Sequence, residues 1–146
     1  MIKSILLTFT LAFFISACST SGILLKGKLQ RVTGNNMPSP DILREEPPGF
    51  AGTIYFFEPT IANQADPARE PGVYRMSGKI PVATTKADSL GQFQIRLKPG
   101  RYSVLIGRDG LYYSNITDLD GCINPFNINR RETKPIVLRA DWDAVY

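Results

Sequence analysis

Apolar and polar residues alternate strictly over Gln92–Leu97, where Phe93, Ile95 and Leu97 are interleaved with Gln92, Gln94 and Arg96. A period of two puts one set on each face of an extended chain, so the pattern predicts a half-buried strand with one wet face. The alternation resumes in Arg101–Gly107, with Tyr102, Val104 and Ile106 on the buried side. Between the two lies Lys98-Pro99-Gly100-Arg101, with Pro second and Gly third. That is the chemistry of a type II turn, whose third residue needs a positive φ. The expectation is a tight reversal and an antiparallel hairpin. Asp88-Ser89-Leu90-Gly91, with Asp first and Gly fourth, predicts a type I turn leading into it. Each large apolar side chain on the shared face is worth roughly 1.5–3 kcal/mol when fully buried, so that face requires a covering sheet.

Shorter patterns flank this stretch. Ile23–Val32 predicts a first strand with Leu25 and Leu29 on one side, Gly27 allowing a close approach or bulge, and Gly34-Asn35-Asn36 ending it. Met37–Gly49 carries prolines at 38, 40, 47 and 48 and cannot sit inside a sheet. It reads as an extended surface connection, with a polyproline-type ligand segment as the alternative. Gly52–Glu58 is rich in β-branched and aromatic residues, with Ile54 and Phe56 on one face and Tyr55 and Phe57 on the other. Apolar residues on both faces predict a central strand, or one whose outer face is covered by a loop. Pro59 stops it, and Thr60–Gly78 is a long polar stretch in which Val73–Met76 suits a short edge strand. Ile80–Ala87 resumes β character. Asp109-Gly110 predicts a turn, and Leu111–Ile116 a strand with Tyr112 and Tyr113 pointing opposite ways. Thr117–Pro125 reads as a loop, and Thr133–Arg139 as the last strand, with Ile136 and Leu138 inward. Trp142 and Tyr146 in the final residues predict a tail that packs back on the body; an exposed partner-binding tail is the alternative. Short strands punctuated by Pro and Gly add up to an all-β domain.

Met1–Ala17 has Lys3, an apolar run from Ile5 to Ile15 and small residues at its end, the signature of a secretory signal peptide. The run is shorter than the about 20 apolar residues a membrane span needs. Ile15-Ser16-Ala17-Cys18 resembles the bacterial lipobox, in which the cysteine is acylated and becomes residue one. The resemblance implies a signal peptide over 1–17, a lipidated tether over 18–22, a domain over 23–146, and anchoring in the bilayer through acyl chains such as palmitate on Cys18. Ser19 in place of aspartate implies the outer membrane, and the polar Ser19-Thr20-Ser21-Gly22 the periplasmic side. A second resemblance lies in Thr85–Val104, which reads T-x-A-D-x-x-G-x-F-x-I-x-L-x-P-G-x-Y-x-V. This looks like the signature of carboxypeptidase regulatory-like domains. It implies a transthyretin-like (prealbumin-like) fold, an antiparallel sandwich of about seven strands, here with longer connections at Thr33–Ala51 and Thr60–Lys79.

Composition narrows the chemistry. The formal net charge is +4, Lys3 leaves with the signal peptide, and no basic run occurs, so nucleic acid is not an expected partner. Histidine is absent. That excludes Ser–His and Cys–His nucleophile pairs, the hydroxyisourate hydrolases and intradiol dioxygenases known on related sandwiches, and the usual zinc sites. Of the 2 cysteines, Cys18 is committed to lipid and Cys122 has no partner, so no disulfide framework and no cofactor is expected. Asp118-x-Asp120-Gly121 resembles the middle of a calcium loop, but Ile116 stands where the first ligand belongs and Asn127 where the closing Glu belongs. The plain reading is a polar turn, with Asp118 and Asp120 kept as calcium candidates. Cys122 reads as a partly buried, inert thiol, Glu45-Glu46 as a solvated pair, and Asp88-Ser89-Leu90 as a short O-glycosylation pattern. The expected function is a membrane-anchored, non-catalytic sandwich that binds an envelope protein or a polysaccharide. The alternative is a carbohydrate-binding accessory module stacking sugars on Tyr74, Tyr112, Tyr113 and Trp142. An enzyme working with carboxylates alone ranks third.

Overall fold

The computed structural model describes residues 22–37, 45–130 and 135–146; the expected signal peptide over 1–17, Cys18, Pro38, Pro40, Thr133 and Lys134 lie outside the described residues. The described residues form nine strands in order: β1 (Ile23–Asn35), β2 (Gly52–Phe57), β3 (Val73–Tyr74), β4 (Ala83–Ala87), β5 (Gln92–Leu97), β6 (Gly100–Arg108), β7 (Leu111–Tyr113), β8 (Pro125–Ile128) and β9 (Ile136–Val145). A 3-10 turn, Ala62–Gln64, lies between β2 and β3. The strands form a three-stranded sheet, β5-β1-β9, and a six-stranded one, β3-β7-β6-β2-β4, in which β8 also pairs with β6. All pairs are antiparallel except β1 with β9, which run parallel from Gly27 opposite Ile136 to Asn35 opposite Val145. The expectation of a wholly antiparallel sheet fails there. Antiparallel order is enforced by short turns, and β1 and β9 are separated by nearly the whole domain.

The hairpin expected around Pro99-Gly100 does not form. β5 pairs with β1 in one sheet, while β6 pairs with β2 in the other. Gly100 is absent from the glycines with positive φ and simply begins β6, and the Tyr102 hydroxyl donates to the Lys98 carbonyl (3.0 Å) beside the crossover. The physical reason lies in the two apolar faces. Side by side in one sheet they would need a third element to cover them, whereas Phe93 and Leu97 on one sheet now pack against the core that holds Val104 and Ile106 on the other. The type I turn does form. The Gly91 N–H donates to the Asp88 carbonyl (2.9 Å), and Asp88 Oδ1 accepts the amides of Leu90 (2.9 Å) and Gln92 (2.8 Å).

Leu25, Leu29, Phe93, Leu97, Ile136, Leu138 and Ala140 from the small sheet meet Ile54, Phe56, Val104, Ile106 and Tyr113 from the large one. Gly27 is the close approach in this layer: a Cβ would lie 2.2 Å from the Phe93 ring and 2.5 Å from the Ile136 carbonyl oxygen. A second apolar layer covers the opposite face of the large sheet, where Phe57 and Leu105 pack with Ala65, Tyr74, Met76 and Ile123. β2 is therefore central and buried on both sides, as its sequence predicts. The polar stretch Thr60–Gly78 is a folded cover, held by Met76 N–H to the Ala65 carbonyl (3.0 Å) and Ala68 N–H to the Val73 carbonyl (2.8 Å).

Several boundaries differ from expectation. The strand expected at Ile80 begins at Ala83, because Pro81 lacks a donor; Val82 then gives its N–H to the Phe56 carbonyl (2.7 Å). β1 continues through Gly34 to Asn35, β7 stops at Tyr113, and β8 begins at Pro125, the last residue of the expected loop, and runs over Phe126–Ile128, for which no element was expected. β9 runs on through the aromatic tail to Val145. Ile23 opposes Leu97 and Phe57 opposes Ser103. Gly22, the β5–β6 crossover and the end of β2 therefore share one end of the sandwich, and the Asp88–Gly91 and Asp109-Gly110 turns lie at the other. Among the described residues no helix is long and apolar enough to cross a membrane.

Candidate functional site

One long side of the sandwich is closed and the other is open. On the closed side Thr85 Oγ1 of β4 donates to the Gln94 carbonyl of β5 (2.9 Å), and the Asp88 N–H donates to the Gln92 carbonyl (3.0 Å). On the open side β9 faces β8 and the chain just after β7. Two clefts lie there along β9. One of about 280 Å³ is lined by Leu25, Pro125–Ile128, Pro135 and Ile136. The other, also about 280 Å³, is lined by Ile106, Tyr113–Ile116, Asn124 and Val137–Arg139. They follow one another along β9 as a groove, the first cleft lined mainly by apolar side chains and the second partly by Ser114, Asn115, Asn124 and Arg139, of which Ser114 and Asn124 are buried.

The hydrogen-bond pattern of β1 fixes what β9 offers this groove. β1 turns its odd-numbered backbone groups away from β9: Leu29 donates to the Gly91 carbonyl (2.7 Å) and Arg31 to the Pro48 carbonyl (2.9 Å). Its even-numbered groups therefore face β9. With Lys28 opposite Val137 in a parallel register, the groups bonded to β1 belong to Ile136 and Leu138. Val137 and Arg139 turn their N–H and C=O outward, and no strand pairs with that edge among the described residues. Their side chains are exposed.

The far end of the groove is bolted by Asp141. The register of β1 and β9 shifts by one residue between Arg31 and Thr33, so β9 bulges at Asp141–Trp142. The buried Asp141 carboxylate accepts from the Tyr113 hydroxyl (2.6 Å), the Asn115 amide (2.5 Å) and the Tyr146 hydroxyl (2.6 Å). Burial first, and then the adjoining carboxylate, push the Tyr113 phenol well above its ordinary value of 10. Trp142 stands edge-on to Tyr113 (4.9 Å) and Phe50 (6.1 Å), with the Arg108 guanidinium 5.2 Å from its ring centre and Glu70 bonded to Arg108 (2.6 Å). Asn124 bridges the gap between β7 and β8 on β6: its side-chain amide donates to the Val104 carbonyl (2.8 Å), and its backbone carbonyl accepts from Val104 N–H (3.1 Å).

The four aromatic candidates do not make one stacking surface. Tyr113 (3 % exposed) and Trp142 belong to the inner layer, Tyr74 (8 %) and Tyr112 to the outer one. Burial raises the Tyr74 phenol as well. Tyr112 is wedged edge-on against Tyr55 (4.9 Å) and Phe57 (5.2 Å). The expected opposition of Tyr112 and Tyr113 is what separates them.

Asp118 is occupied by its own loop. Its Oδ1 accepts the amides of Asp120 (3.0 Å) and Cys122 (2.8 Å), and its Oδ2 pairs with Arg101. Among the described residues no group of three or more His, Cys, Asp or Glu is placed to hold a metal. Cys122 is buried with its Sγ 3.5 Å from Ser103 Oγ. Glu46 is bonded to Lys28 (2.9 Å) and Gln30 (2.6 Å), and Lys28 holds its carboxyl below the usual range. Sequence reasoning missed the groove. The outward positions of Val137 and Arg139 follow from Ile136 and Leu138 being inward, but nothing local marks β9 as an edge, and nothing marks Asn124. No family model, no curated relative and no solved structure matches this chain.

Proposed function

We propose that this protein is a lipid-anchored, non-catalytic β-sandwich of the bacterial cell envelope that binds an extended segment of another envelope protein along the free edge of β9. The carrying observation is the outward-facing backbone of Val137 and Arg139 beside the groove. An added strand would satisfy those groups while its side chains fill the two clefts; main-chain pairing supplies affinity and the pockets supply choice. Open edges invite indiscriminate pairing. Here the Arg139 charge and the bulge at Asp141–Trp142 restrict the usable edge to a few residues. Anchoring through acylated Cys18 in the outer membrane, facing the periplasm, is supported by Ile15-Ser16-Ala17-Cys18 and Ser19. The transthyretin-like assignment is supported by the Thr85–Val104 signature and by two facing sheets, one of them with short added strands.

The test is a photo-crosslinking residue at Val137 in cells, with Thr84 on the closed side as control. The expected result is a discrete adduct from position 137, mapped to an extended stretch of the partner and lost in Arg139→Pro. That substitution removes the outward donor without touching the bonds to β1. Equal adducts from both positions, or an adduct indifferent to Arg139→Pro, would sink edge docking. Binding on a glycan array would favour the carbohydrate module in its place.

A further inference from the structure

We propose that the end of the sandwich from which the tether leaves docks on the bilayer surface, with Ile80 and Val82 against the lipid and Lys79, Lys98 and Arg130 on anionic phospholipid headgroups. This rests on Cys18 being the acylated residue and goes further by naming the surface that faces the membrane.

The first argument is reach. The stretch from Cys18 to Gly22 spans at most about 14 Å when fully extended. Gly22 adjoins Leu97 and Arg96, and Arg96 donates to the Gly22 carbonyl (3.4 Å). The end carrying Leu97 is thus held within a headgroup layer's distance of the acyl chains. The second argument is what that end presents. Val82 bonds the Phe56 carbonyl at the end of β2, so the segment Lys79–Val82 lies there. Ile80 is 86 % exposed and Val82 48 %. They flank a cleft of about 240 Å³ with Phe57 and Pro59. Scattered exposed apolar residues are ordinary, but these two project at the end where the lipid is tethered.

The third argument is charge. Of the ion pairs among the described residues, Lys28–Glu46, Arg31–Asp143, Arg75–Asp66 and Arg108–Glu70 belong to the rest of the molecule. At the tether end only Arg101 is paired, with Asp118. Lys79, Lys98 and Arg130 have no carboxylate partner among the described residues, and the unpaired acids at that end among the described residues are Glu58 and Asp120, the latter two residues beyond Asp118. Each cation near an anionic surface is worth roughly fivefold in binding. Three cations against Glu58 and Asp120 leave that end net positive, whereas the opposite end sets Lys86 against the Asp88 and Asp109 turns, so an anionic surface favours the tether end.

The experiment uses the full acylated protein in vesicles containing phosphatidylglycerol, with a fluorophore on a cysteine at Ile80→Cys or Ser89→Cys and brominated lipid as quencher. Quenching at position 80 is expected to exceed that at position 89 at least fivefold. The preference is expected to collapse in Lys79→Glu/Lys98→Glu and on phosphatidylcholine vesicles. Equal quenching at both positions, or a preference indifferent to lipid charge, overturns the proposal while vesicle flotation still upholds the anchor. Loss of flotation with no incorporated palmitate overturns the anchor, and the docking surface with it.

Discussion

The Tyr113 hydroxyl and the Asp141 carboxylate meet at 2.6 Å across the two sheets, one on β7 of the large sheet and the other on the β9 bulge of the small one. A hydrogen bond to a buried charge contributes about 1.5–3 kcal/mol. Tyr113→Phe keeps the ring against Trp142 and removes only the donor. It is expected to lower unfolding stability by about 1–3 kcal/mol in urea titrations, with the m-value unchanged. A loss within error would show that Asn115 and Tyr146 suffice for Asp141.

The same phenol makes stability sensitive to alkali. Tyr113 and Tyr74 both have folded-state values above the ordinary 10, Tyr113 by burial and by Asp141, Tyr74 by burial. A raised value means that the unfolded chain releases these protons first. The stabilisation they carry is thus complete below about pH 10 and is lost as pH rises above it. Urea unfolding at pH 9, 10 and 11 should show a fall that is visibly shallower in Tyr113→Phe.

Gly27 sits where β1 passes under the Phe93 ring and beside the Ile136 carbonyl. Gly27→Ala forces a methyl into space already filled by a ring and by backbone, and overpacking of this kind costs about 1–3 kcal/mol, occasionally more. A thermal midpoint lower by several degrees is expected. Gly34→Ala, with nothing within 4 Å but a φ of +73°, separates backbone strain from crowding and should cost less.

Asp118 acts as the clasp of the loop that covers Cys122, with two amides and Arg101 on its carboxylate. Asp118→Ala is expected to raise the reaction rate of the Cys122 thiol with a disulfide reagent at least tenfold. The parent chain should react only on unfolding. Millimolar calcium should leave the thermal midpoint of the parent unchanged; a rise of several degrees would restore Asp118 and Asp120 as ligands.

Local pattern determined a good deal of this molecule. Alternation over Gln92–Leu97 and Arg101–Gly107, two-faced hydrophobicity in Gly52–Glu58, and the Asp88–Gly91 turn all have local causes: side-chain period, β propensity and hydrogen bonds within a few residues. That the sequence carries no histidine is likewise read without any structure. Partnership was not local. Pro99-Gly100 is compatible with a reversal or with a crossover between sheets, and the choice went to the arrangement in which apolar faces bury one another. The same holds for β9. Its inward residues were legible, yet its parallel pairing with β1, its free edge and the burial of Asp141 depend on a strand more than a hundred residues away in the chain. The groove exists because one side of the sandwich closes through β4 and β5 and the other does not. That is a property of how strands are ordered in space, which sequence alternation does not encode.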